Sequence, residues 1–103
     1  MARIVVTFSA SRDQAEILDD LNARAGKLTA AKYQLLFGRL YDRLGDHPDM
    51  GALRPALGTL VRIGIVTPYI VIYEHSAKDD AVTILRIVHS HRDITARFLT
   101  GTR

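Results

Sequence analysis

The sequence predicts an α+β fold of order β-α-α-β-β-β, in which an antiparallel helix hairpin packs on one face of an antiparallel sheet. Three observations predict it. A β-branched run, Arg3 to Phe8, opens the chain. Two stretches with three- and four-residue apolar spacing follow, separated by a short break at Gly26. Three runs rich in Ile, Val and Tyr, divided by short polar tracts, then occupy residues 60–89. A length of 103 residues allows one domain with a single core, spanning residues 1–103.

Arg3 to Phe8, RIVVTF, has the β-branched density of a strand, and Ser9 or Ser11 is placed to cap a helix by accepting from its free N–H groups. From Arg12 to Ala25, the residues Ala15, Ile17, Leu18, Leu21 and Ala25 fall mostly three or four apart. Asp13 and Glu16 lie early enough to favour the positive end of the helix dipole. Gly26 stops this helix, because glycine tolerates the backbone turn at a helix C-terminus. Thr29 is placed to cap a second helix with the stripe Tyr33, Leu36, Phe37, Leu40 and Leu44, ending near Gly45. A three- or four-residue connection makes the pair an antiparallel hairpin. His47 to Gly58, with two prolines and two glycines, breaks both periodicities and reads as a loop. Leu60–Val66, Tyr69–His75 and Ala81–His89 follow as a β-meander, with Thr67-Pro68 at the first corner and Ser76 to Asp79 at the second. Pattern alone does not place the first strand within the sheet.

Composition narrows the functional classes. There is no cysteine, which excludes disulfide scaffolds and thiolate metal sites. No apolar run approaches the ~20 residues needed to cross a bilayer, and the first residues lack a signal-peptide pattern, so a cytoplasmic location is expected. The net charge of +3 is unevenly placed. Residues 1–52 hold seven Lys/Arg and seven Asp/Glu, whereas residues 53–103 hold seven and four. An acidic partner would be drawn to the second half, unless its basic end serves only solubility.

The apolar runs also carry polar residues that a purely structural hairpin would not need. With a turn at Ser76 to Asp79, the simplest register pairs Tyr73 with Val82, Val71 with Ile84 and Tyr69 with Arg86. Tyr69, Tyr73, His75 and Arg86 then share one face, and Ile70, Ile72, Leu85 and Ile87 share the face turned to the helices. Arg86 would project onto the open side of the sheet to meet a carboxylate, phosphate or carbonyl. The alternative is an arginine paired internally with an Asp or Glu. His89 and His91 stand two apart with Arg92 next, so a base, an acid and a cation for RNA cleavage are all represented. Surface or structural histidines are the alternative, and no second motif completes a metal site with His89, His91 and Asp93. Tyr33, Phe37 and Tyr41 recur every four residues, which suits core packing rather than base stacking. No DNA- or RNA-recognition signature and no phosphate-binding loop is present.

Pro68-Tyr69, the Ile-Val-Ile-Tyr run ending at Tyr73, the ILRIVH core from Ile84 to His89, and Arg92-Asp93 occur in that order near the end of a short chain. In these elements the chain resembles the ParE branch of the RelE/ParE bacterial toxin superfamily. The likeness extends from about Ile4 to Ile94: Ala10, Asp13 and Ile17 loosely match the family's helix-opening pattern, and Arg62 matches an arginine often found before the Pro-Tyr strand. Glu74 and His91 depart from family habit. The resemblance implies a toxin of a type II toxin-antitoxin pair that poisons DNA gyrase without chemistry or a cofactor of its own. It also implies neutralisation by a cognate ParD-like antitoxin in a hetero-oligomer, with neither membrane binding nor sequence-specific nucleic-acid binding. The expected target- and partner-binding residues are Arg62, Tyr69, Tyr73, Arg86, His89, His91 and Arg92. One alternative is a RelE-like ribosome-dependent mRNA endoribonuclease using His89, His91 and Arg92. Against it stand only three lysines and no tyrosine beyond Tyr73. A second alternative is a non-toxic antitoxin-binding module.

Overall fold

The computed structural model describes residues 1–91 and Leu99. The elements run β1 (Arg3–Val6), α1 (Phe8–Ala25), α2 (Lys27–Asp46), β2 (Ala52–Leu53), β3 (Val61–Val66), β4 (Tyr69–Ser76) and β5 (Ala81–His89). The five strands form one sheet in the order β1-β5-β4-β3-β2, and the two helices pack on one face of it. The order is the expected one, with two differences. A two-residue strand, β2, pairs with β3 from within the loop, and β1 lies parallel to β5 at the sheet edge, so the sheet is mixed rather than antiparallel.

Thr7, rather than Ser9 or Ser11, caps α1. Its extended backbone keeps it in line with β1, and its N–H reaches the Ile84 carbonyl at 3.1 Å. Its Oγ1 accepts from the Ala10 N–H at 3.1 Å and donates toward the Ile84 and Leu85 carbonyls at 2.9 and 3.1 Å. One side chain thus ends the strand and begins the helix, which moves the start of α1 forward to Phe8. The connection between the helices is a single residue. Gly26, at φ +95°, closes α1 through its N–H to the Asn22 carbonyl and offers its own carbonyl to the Ala30 N–H. Only glycine holds that backbone cheaply. No side chain caps α2, so Thr29 lies inside the helix.

The core between helices and sheet contains Phe37, Leu40 and Leu44 from α2, Ala10 from α1, Tyr69, Val71 and Tyr73 from β4, and Val82, Ile84 and Ile87 from β5. The tyrosines therefore face the helices, contrary to the expected faces. Ile70, Ile72 and Leu85 point the other way, where Ile72, Leu85, Val61 and Val88 form a second cluster with Leu57 and Leu99 packed against it. Both faces of the central strands are covered. That is why β4 reads as a continuous apolar run without alternation, and why pattern could not say which side meets the helices.

The register differs as well. Tyr73 pairs with Ile84, Val71 with Ile87 and Tyr69 with His89, because the turn is set by Ser76 opposite Ala81 and because a bulge intervenes. Ile72 pairs with Arg86 and Tyr73 with Ile84, leaving Leu85 as the extra residue. The bulge falls where β1 ends, since β1 pairs with β5 only as far as Ile84.

The helices are tied by Tyr41 of α2, whose hydroxyl donates to Gln14 Oε1 of α1 at 2.6 Å. Burial pushes the Tyr41 phenol up from 10.0 to about 12. Above the ordinary tyrosine range the unfolded chain releases this proton and the folded chain keeps it. Stability is therefore full below pH 10 and falls as pH rises from 10 toward about 12. Denaturant midpoints measured across that window should decline, and Tyr41→Phe should decline less steeply. An equal slope in both proteins would assign the alkaline loss to other groups. Among the described residues, no helix is long and apolar enough to cross a membrane.

Candidate functional site

An open cleft of about 600 Å³ lies between α1 and the end of β5 that β1 leaves unpaired. From α1 it receives Asp13, Glu16, Asp20 and Arg24, which recur every three or four residues and so share one helical face. From the sheet it receives Tyr69, Arg86 and His89, and His91 closes its end.

Asp13 organises the floor. Arg86 Nε lies 2.6 Å from Asp13 Oδ2 and Nη2 lies 3.0 Å from Oδ1, a two-point pairing of guanidinium with carboxylate. The Ile87 N–H also donates to Asp13 Oδ2 at 3.0 Å. The carboxylate thus takes up a backbone donor of β5 just past the last residue that β1 pairs, at a position where a buried N–H needs a partner. Only 13% of the Asp13 side chain and 23% of the Arg86 side chain are exposed. Arg86 consequently reaches α1 and does not stand on an open sheet face beside two tyrosines. The bulge and the covered far face together account for the change.

The other charges at this helix face are paired on the surface, Asp20 with Arg24 at 2.6 Å and Arg12 with Glu16 at 3.1 Å. Exposed pairs of this kind add little to stability. Tyr69 packs edge-on against Tyr33 at 5.7 Å and against His89 at 5.9 Å, and its phenol is pushed up by burial, aided by Tyr33 and Asp20. His89 and His91 stack on each other, with ring centres 4.8 Å apart. The His91 N–H donates to His89 Nδ1 at 3.2 Å, an arrangement that requires Nδ1 to be unprotonated.

Arg62 and Tyr73 lie elsewhere. They hold the loop that carries β2. Tyr73 is fully buried; its hydroxyl donates to the Pro48 carbonyl at 2.9 Å and accepts from the Gly51 N–H at 3.0 Å. Its phenol is pushed up, first by burial. Arg62 Nη1 donates to the Asp49 and Gly51 carbonyls at 2.9 and 2.8 Å, and His75 Nδ1 lies 2.9 Å from Asp49 Oδ1. These residues shape the loop and present little surface themselves.

Of the residues expected at the site, the structure brings Tyr69, Arg86, His89 and His91 together and sets Arg62 and Tyr73 apart. Arg92 and Asp93 lie outside the described residues. Asp13, Glu16, Asp20 and Arg24 were not expected in the cleft. The available signal was their common helical face, which dipole chemistry for Asp13 and Glu16 and a loose family match at Asp13 do not convey. Among the described residues, no group of three or more His, Asp or Glu side chains is placed to hold a metal ion.

A family model for the ParE toxin of the type II toxin-antitoxin system parDE matches residues 4–94. No curated protein matches the sequence. Among solved structures, the chain is similar to one described as the chromosomal ParDE toxin-antitoxin system from P. aeruginosa. The TM-score is 0.71 at 23% identity, covering 86% of this chain and 96% of the other. It is also similar to a chain in the crystal structure of the toxin-antitoxin complex RelBE2 from Mycobacterium tuberculosis. Here the TM-score is 0.56 at 27% identity, covering 85% and 96%. The family match takes in both helices, all of the sheet except Arg3 and every residue that lines the cleft, and on that ground the chain belongs to the ParE toxin family of type II toxin-antitoxin systems.

Proposed function

We propose that this toxin acts by binding DNA gyrase and stabilising its cleaved-DNA state, and that a ParD-like antitoxin neutralises it by covering its surface. The observation that carries the proposal is the match to the ParE model over residues 4–94. The chemistry of the cleft supports binding over bond cleavage. RNA cleavage through the 2′-hydroxyl calls for a base and an acid on either side of a phosphate, with a cation beside them. Here His89 and His91 lie against each other, and His89 Nδ1 is taken up by a backbone N–H. Arg86 is clamped by Asp13. The cleft rim, with His89, His91, Asp20 and Arg24, is better suited to meeting a protein surface. The antitoxin half of the proposal draws on the two structural relatives, whose descriptions name toxin-antitoxin assemblies.

Purified gyrase incubated with supercoiled plasmid and the toxin is the direct test. Linear, cleaved plasmid should accumulate with increasing toxin, and adding antitoxin should suppress it. Intact gyrase cycling together with fragmented ribosome-bound mRNA would replace the proposal with the endoribonuclease alternative. Neither effect would leave only a non-toxic antitoxin-binding module.

A further inference from the structure

Among the described residues, the one buried side-chain polar atom without a hydrogen-bond partner is Nε2 of His75. A buried acceptor or donor left unmet carries the full cost of its lost hydration, so such an atom calls for an explanation. The His75 ring stands between two carboxylates. Nδ1 lies 2.9 Å from Asp49 Oδ1, in the loop before β2, and Nε2 lies 4.0 Å from Asp80 Oδ1, in the turn before β5. Only 13% of the His75 side chain is exposed.

The two carboxylates decide where the protons go. An ionised carboxylate only accepts, so Nδ1 carries the proton that Asp49 receives. A neutral ring then turns the lone pair of Nε2 toward Asp80, acceptor against acceptor. A protonated ring carries an N–H at each nitrogen and has an acceptor for both. Closing the gap to the roughly 2.8 Å of a charge-assisted bond needs only a turn of the Asp80 side chain, which is 66% exposed. Its backbone is held at φ +47°, with its N–H toward the Ala77 carbonyl and its own carbonyl on the Arg3 N–H at 2.9 Å.

The other charges nearby leave Asp80 to His75. Arg62 Nε lies 3.5 Å from Asp49 Oδ1 and competes only for that carboxylate. The Tyr73 hydroxyl, on the same side of β4, is engaged with Pro48 and Gly51. Glu74 alternates to the opposite side of the strand. Asp79 accepts from the Ser76 hydroxyl, and Lys78 is exposed in the turn. Asp46 and His47, at the end of α2, form no ion pair or side-chain hydrogen bond with His75 among the described residues.

We infer that His75 is a proton-operated clasp, which on protonation ties the loop 47–51, through Asp49, to the β4–β5 turn, through Asp80. That loop leads into β2, the outer strand of the sheet, and with it presents Met50 and Leu53, each 46% exposed. The clasp sets how firmly this apolar edge is held. It is closed below the ordinary histidine range, about pH 6.5, and opens as pH rises through that range.

The test uses the isotope-labelled full chain in solution. Correlation spectra of the imidazole nitrogens should show neutral His75 with its proton on Nδ1 and, at acid pH, protons on both nitrogens. Hydrogen-exchange protection, corrected for intrinsic rates, should rise about fivefold from about pH 7.5 to about pH 5.5 at Gly51 and Arg54. The N–H groups of these two residues bond Tyr73 Oη and the Val61 carbonyl. His75→Gln should abolish the rise. Asp80→Asn should flatten it from the other end, because the asparagine tolerates the same backbone and its amide N–H can donate to neutral Nε2, closing the clasp without a proton. A neutral His75 that carries its proton on Nε2 overturns the inference, whatever the variants do. So does an unchanged rise in Asp80→Asn, or a rise that survives in His75→Gln and thereby belongs to His47.

Discussion

Replacing Asp13 with alanine lowers the unfolding free energy by about 3 kcal/mol. The carboxylate receives two hydrogen bonds from Arg86 and one from the Ile87 N–H, so its removal leaves three donors without their acceptor. Breaking a buried ion pair by deleting one member costs roughly 3–5 kcal/mol, and the partial exposure of Arg86 places this case at the lower end. For a domain of this size the loss corresponds to a melting temperature roughly 12–24 °C lower. Asp13→Asn keeps one carbonyl acceptor but loses the charge, and should fall between alanine and wild type. An Asp13→Ala/Arg86→Met variant should recover part of the loss, because it removes a guanidinium that has lost its Asp13 carboxylate and fills the space with an apolar chain. Urea denaturation of the four proteins checks the series. An Asp13→Ala variant within about 0.5 kcal/mol of wild type would reduce the pair to a surface contact of the kind formed by Asp20 and Arg24.

The pair matters for function because it fixes one wall of the cleft against another. β1 ends at Val6, and among the described residues no strand lies beside the part of β5 beyond Ile84 on that side. Asp13 substitutes for the missing ladder at Ile87 and holds α1 against β5 through Arg86. Glu16, Asp20 and Arg24 follow on the same helical face, so their position over His89 depends on this anchor.

Much of this architecture was legible in the residues. The helical stripe of Phe37, Leu40 and Leu44 and the apolar run Ala81–His89 stand in the structure where three- and four-residue spacing and β-branched content put them. Three features were hidden for physical reasons. β4 is buried on both faces, so Tyr69, Val71 and Tyr73 carried no label distinguishing their side from that of Ile70 and Ile72. The bulge at Leu85 adds one residue to a strand without changing its composition, which moved Arg86 from the expected register. The Asp13–Arg86 pair joins residues 73 positions apart, and no local pattern points across that distance. The tyrosines misled for a further reason. A tyrosine can bury its ring and still satisfy its hydroxyl at the edge of the core, so its polarity was no evidence of an open face.

Gly51→Ala and Tyr73→Phe should each destabilise the chain by about 2–3 kcal/mol, and the double variant should lose scarcely more than the worse single one. Gly51 lies where β2 begins to pair with β3. A Cβ there would run into the Ile63 carbonyl oxygen and stand 2.5 Å from Tyr73 Oη and 2.9 Å from Tyr73 Cε1. A backbone oxygen within the sheet and a ring locked in the core cannot move aside, so the loop must lift. Lifting it breaks the Gly51 N–H bond to Tyr73 and the Arg62 bond to the Gly51 carbonyl. Tyr73→Phe reaches the same end from the other side, by leaving the Gly51 N–H and the Pro48 carbonyl without the hydroxyl that joins them. Because both substitutions undo one contact, their effects overlap and cannot add. Hydrogen exchange should locate the damage, with faster exchange at Gly51 and Leu53 in either variant and little change at Val82 and Ile84 in the central strand. Additive losses in the double variant, or faster exchange spread evenly over the sheet, would mean that Tyr73 and Gly51 act separately and that the loop is held by other contacts.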